Sequence, residues 1–120
     1  MFLPIQKAAI AALEGPLDGV KEQCKEYQAR RDALCQGFRS IGWHVTDSKG
    51  TMFAWLKIPD GFSSSYDFCM QLLEAAGVLC TPGSAFGTCG EGYVRFALVL
   101  PVDEIKEMIQ AVNESGILHR

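Results

Sequence analysis

One arginine stands apart chemically. In Tyr93-Val94-Arg95-Phe96-Ala97-Leu98-Val99, Arg95 is the only charged side chain. If the segment is extended, Val94, Phe96 and Leu98 point one way, and Tyr93, Arg95, Ala97 and Val99 the other. A charge among such neighbours is costly unless it is paired or opens onto a cleft. Guanidinium is the preferred fork for a carboxylate, because two parallel hydrogen bonds fix the plane of both groups. The pattern allows two readings: a structural salt bridge to a nearby acid such as Glu91, or a fork for a ligand carboxylate.

The other candidates are weaker. Arg31 falls at the missing step of a helical apolar stripe, and reads as a packed stem whose head escapes to a carboxylate. Residues 81–92, Thr-Pro-Gly-Ser-Ala-Phe-Gly-Thr-Cys-Gly-Glu-Gly, are rich in glycine but precede a strand. A phosphate-binding loop ends in G-K-[ST] and precedes a helix. A tight, mobile connection is the better reading. Cys24, Cys35, Cys69, Cys80 and Cys89 are odd in number with no close-spaced pair, as free thiols in a reducing cytoplasm would be. Cys24 and Cys35 lie about three helical turns apart, on one helix face, where small apolar residues are commonly buried. Zinc spacings are absent, and His44 and His119 are far apart, so no metal site is expected. No Ser/His/Asp or Cys/His set assembles.

These residues must be carried by regular elements. Residues 4–13 read as a short helix broken by Gly15-Pro16. A long helix over 16–41 carries Leu17, Val20, Cys24, Tyr27, Leu34, Phe38 and Ile41 on one face expected to be buried, with Gly42 as its stop. Residues 43–47 are a short strand candidate, joined by a turn at 48–50 to a stronger strand at 51–58. A helix over 63–76 follows, with Ser63 to Ser65 able to cap it and Gly77 to end it. Residues 78–80 and 93–100 are strands. A last helix opens at Pro101 with Asp103 and Glu104 in its first turn. It turns Ile105, Met108, Ile109 and Val112 inward and ends near Ser115-Gly116. The expected fold is α+β: two layers, a small mixed sheet of about four strands packed on helices.

At 120 residues, 48% hydrophobic and 21% charged, the chain is one globular domain able to bury a core. Its net charge of −3 is spread evenly, without the basic stripe that nucleic acid requires. Its apolar runs are too short to span a bilayer. Met1-Phe2-Leu3-Pro4 lacks the basic leader of a signal peptide.

Longer motifs carry a family resemblance. Residues 49–58, Lys-Gly-Thr-Met-Phe-Ala-Trp-Leu-Lys-Ile, look like the small-domain strand of class I/II, fold-type I aminotransferases. Residues 78–98, VLCTPGSAFGTCGEGYVRFAL, resemble that family's PGxxFG…GEGYxRxAL segment. Tyr27…Arg30-Arg31-Asp32 is similar to the Y..RRD of its interdomain helix, and Gln6…Ala8-Ala9…Ala12-Leu13 to its last large-domain helix. The similarity is nearest to the alanine and LL-diaminopimelate aminotransferase branches.

The resemblance implies residues 1–15 as the tail of the large-domain helix and 16–120 as the C-terminal small domain. It implies that Arg95 binds the α-carboxylate of an amino acid or 2-oxo acid substrate. It also implies pyridoxal 5′-phosphate as cofactor, a cytoplasmic location and a homodimer when intact. The family's Schiff-base lysine sits in S-x-[ST]-K, a context that none of Lys7, Lys21, Lys25, Lys49, Lys57 and Lys106 has. No cofactor-binding or catalytic residue is therefore expected here, and the opening residues read as a cut inside a longer frame. The alternative is a stand-alone α+β module, binding a small carboxylate or regulating a partner.

Overall fold

The computed structural model describes residues 2–119; Met1 and Arg120, the outer ends of the two expected domains, lie outside the described residues. Helix α1 (Leu3–Glu14) leads into α2 (Asp18–Ser40), followed by β1 (Phe53–Lys57), α3 (Ser65–Ala76), β2 (Thr81–Pro82), β3 (Tyr93–Ala97) and α4 (Val102–Glu114). Three short 3-10 turns, Gly83–Phe86, Thr88–Gly90 and Ile117–His119, complete the chain. The fold is α+β, as expected.

The sheet is smaller and more uniform than expected. It has three strands in the order β1-β3-β2, all antiparallel, rather than a mixed set of about four. Strand β3 enters between β1 and β2, so the crossover through α3 joins strands that never touch. Residues 78–80, expected as a strand, form no ladder; pairing begins only at Thr81. Pro82 suits an edge strand because it has no N–H to leave unsatisfied.

Residues 43–47 form no strand either, although Trp43 and Val45 are buried and the residues between and after them exposed. Their polar groups are claimed by α2 and β1 instead. The Trp43 N–H donates to Phe38 O at 2.9 Å, and Trp43 Nε1 to Lys57 O at 2.9 Å. Arg39 Nη1 donates to Val45 O at 3.3 Å. Side-chain donors have taken carbonyls that a strand ladder would use, and the expected hairpin does not form.

One sheet face is covered. Ala54 and Leu56 of β1 and Val94 and Phe96 of β3 are buried against Leu34, Phe38, Phe68 and Leu72 from the helices. Helix α4 contributes Ile105, Ile109 and Val112, with Met108 half-buried beside them. Ser64 caps α3 by accepting from the Asp67 N–H at 3.1 Å, and Gly77 ends it at φ 67°. Cys69 and Cys80 meet in this core, Sγ to Sγ 3.3 Å, a proximity their sequence spacing does not announce. Burial pushes both thiols up.

The expected stripe on α2 is buried only at its C-terminal end. Leu34 and Phe38 are core residues, while Leu17, Val20 and Cys24 are exposed. Cys24 thus shares a helix face with buried Cys35 without sharing its burial. Helix α1 buries no residue at all, and its Leu13 is 83% exposed.

Candidate functional site

The uncovered sheet face holds the candidate residues. Phe53, Trp55 and Lys57 on β1 and Tyr93, Arg95 and Ala97 on β3 alternate with the buried set. Trp55 pairs across the ladder with Arg95, and Thr81 flanks Arg95 on the other side. Arg95 is half-buried. Its Cζ lies 4.3 Å from the Phe53 ring centroid and 4.5 Å from that of Phe86, which projects from the first 3-10 turn.

The residues of 81–92 are folded tightly rather than strung loosely. A Cβ on Gly83 would lie 2.0 Å from Gly90 O, and one on Gly90 would lie 2.1 Å from Gly83 O. Only glycine permits this backbone contact, which folds the segment back on itself and carries Phe86 to Arg95.

Glu91, the sequence candidate for a structural salt bridge, is committed elsewhere. Its carboxylate accepts from the Ser65 N–H at 2.6 Å, the Ser65 hydroxyl at 3.2 Å and the Gly92 N–H at 2.9 Å. It therefore satisfies a donor at the start of α3. No carboxylate lies within 4.0 Å of the Arg95 guanidinium among the described residues, and none of them hydrogen-bonds it. Arg31, by contrast, donates to Asp32 Oδ1 through Nε at 2.9 Å and to Ser48 O through Nη1 at 3.2 Å. This is the half-buried, carboxylate-paired arginine that its helix position predicts.

The bonds from Ser65 and Gly92 hold the Glu91 carboxyl below its usual range, the Ser65 N–H contributing most. A carboxyl lowered in the folded state contributes stability above its unfolded pKa, and that contribution is lost as pH falls through the folded value. Glu91→Gln is therefore expected to lower Tm most near neutral pH, with the gap from the unsubstituted chain narrowing in acid. Thermal unfolding followed by circular dichroism across that range measures it. A gap that stays constant with pH would show that the Glu91 charge contributes nothing.

Sequence reasoning located Arg95 but missed the rings around it. Phe53 and Trp55 share its face and could have been found by pairing the two alternating segments. Phe86 carries no such signal, because a 3-10 turn inside a glycine-rich loop has no usable periodicity.

The model of the aminotransferase class I and II family matches residues 3–112. LL-diaminopimelate aminotransferase of Moorella thermoacetica is 43% identical over 112 residues, which are 93% of this chain and 28% of that protein. Glutamate-pyruvate aminotransferase AlaC of Escherichia coli is 41% identical over 114 residues, again 93% of this chain and 28% of that one. The solved alanine aminotransferase of Pyrococcus furiosus superposes with a TM-score of 0.84 at 31% identity, covering 92% of this chain and 29% of that one. The chain belongs to the class I and II aminotransferase family. It spans less than a third of the length of these relatives.

Members of the family use pyridoxal phosphate. The lysines present do not fit that group: all six are exposed, whereas a lysine that forms an imine is typically activated by desolvation or by a neighbouring cation. No group of three or more metal-ligating side chains occurs among the described residues. None of the described helices is long and apolar enough to cross a membrane.

Proposed function

We propose that this chain is the C-terminal, substrate-clamping domain of a pyridoxal-phosphate aminotransferase that moves an amino group between an amino acid and a 2-oxo acid. Arg95 is the fork for the substrate carboxylate. The observation that carries this reading is a half-buried guanidinium on an open sheet face with no hydrogen bond or ion pair among the described residues. Such a group calls for an anionic partner, and a carboxylate matches its geometry.

Residues 1–15 form the tail of a large-domain helix, and 16–120 the small domain. The exposed apolar residues of α1 and early α2 support this division: Ile5, Ile10, Leu13, Leu17 and Val20 each have more than half of their surface open. Large apolar side chains exposed in this number call for cover. The lysine and the other cofactor contacts come from the remainder of a longer, cytoplasmic, homodimeric enzyme. There the domain moves to close the site on substrate.

The 120-residue chain is expected to be inactive alone. Mixed with pyridoxal phosphate, alanine and 2-oxoglutarate, it should form no pyruvate above the protein-free control. Pyruvate formation that scales with protein concentration would overturn the assignment of the cofactor chemistry to residues outside this chain.

A further inference from the structure

Arg30, Arg31 and Arg39 are each fixed by a carboxylate and by backbone carbonyls. Arg30 takes Glu26 at 2.7 Å and Leu98 O at 3.1 Å. Arg31 takes Asp32 and Ser48 O. Arg39 takes Asp47 at 2.8 Å and Val45 O at 3.3 Å. Arg95 has no such anchor among the described residues, and it is held by rings instead. A guanidinium meets an aromatic face through its own π surface, while its five N–H bonds lie in its plane. Phe53 and Phe86 carry no oxygen or nitrogen acceptor, so their contact with the group leaves its donors open to a carboxylate.

The restraint is itself supported. The Trp55 ring packs edge-on to Phe86, centroids 5.6 Å apart, and stacks on Tyr93 at 5.8 Å with 16° between the planes. Phe86, which would otherwise project freely from its turn, is thereby braced against β1 and, through Trp55, against β3.

We propose that Phe53 and Phe86 are positioning residues that hold the Arg95 fork in a fixed plane, ready for a carboxylate. This rests on the carboxylate role of Arg95 proposed above. A fork ordered before the ligand arrives loses less side-chain entropy on binding, so the rings raise affinity without touching the ligand.

Nuclear magnetic resonance tests this on the 120-residue chain, with 2-oxoglutarate as the probe. In the unsubstituted protein the β3 amides should shift saturably, and the Arg95 Nε–H vector should be rigid before any probe is added. Phe86→Leu should raise Kd about 3- to 10-fold and increase Nε–H motion, while Phe86→Tyr should stay within about twofold because it keeps the ring face. Phe86 is 51% exposed, so its replacement leaves the core intact. Phe53→Leu is a second probe from the sheet side, and Arg95→Lys, which keeps the charge but loses the fork, should raise Kd further than either leucine variant. Leucine variants that keep both the original Kd and the original Nε–H order would overturn the positioning role while the Arg95 reading stands. An Arg95→Lys chain that titrates like the original would overturn the Arg95 reading, and the positioning role with it.

Discussion

In the complete enzyme, Arg95→Ala is expected to lower kcat/KM for the amino acid by roughly thirty- to several-thousand-fold, about 2–5 kcal/mol. The magnitude follows from the environment. Arg95 is half-buried, Glu91 is bonded to Ser65 and Gly92, and no other carboxylate reaches the guanidinium among the described residues. Removing it leaves a substrate carboxylate without its fork in a closed site, and most of the cost comes from that unpaired charge. Arg95→Lys should recover only part of the loss, because an ammonium restores charge but not the two parallel bonds. The cofactor absorbance should be unchanged in both variants if the cofactor contacts lie outside this chain, as proposed. Steady-state kinetics and the absorbance spectrum, measured on the same preparations, give the answer. Near-normal kcat/KM in Arg95→Ala would reject the carboxylate role. A lost cofactor spectrum would mean that Arg95 belongs to the cofactor site instead.

Arg95 could be found in the sequence because alternation is a local property. Val94 and Phe96 are buried and Arg95 is on the other face, as period two requires. The same rule misled at residues 43–47. Trp43 and Val45 do turn inward, yet Arg39 of α2 claims the Val45 carbonyl and no ladder forms. Hydrophobic pattern reports which side chains are buried; it does not report where the backbone hydrogen bonds go. The α2 stripe shows a related limit. Its 3-4 spacing identified one face correctly, but burial also needs a neighbour, and none of the described elements covers Leu17, Val20 or Cys24. Contacts made by the irregular segments were beyond sequence reasoning. Glu91 lies four residues from Arg95, yet it bonds Ser65, 26 positions away, and Phe86 reaches Arg95 only because Gly83 and Gly90 can touch.

Phe38→Ala is expected to destabilise the chain by about 3–5 kcal/mol, the range for deleting a buried aromatic side chain. Phe38 is fully buried at the junction of three elements. Its ring lies 4.4 Å from Trp43 and 5.4 Å from Phe96, and Trp43 in turn meets Phe68 at 5.2 Å. Truncation therefore opens a void where α2, the 43–47 segment and β3 converge, and removes a ring from a connected aromatic cluster. The carbonyl of Phe38 also accepts from the Trp43 N–H at 2.9 Å. This backbone bond survives the substitution, so the loss measures packing alone. Against a total stability of about 5–15 kcal/mol for a domain of this size, the variant should be marginal. With a urea slope of about 1–3 kcal/mol per molar, its midpoint should fall by roughly 2 M. Phe38→Leu, which refills much of the space, should cost clearly less. Urea unfolding followed by tryptophan fluorescence measures both, and an alanine variant whose midpoint matches that of the unsubstituted chain would show that the Phe38 ring does not organise this core.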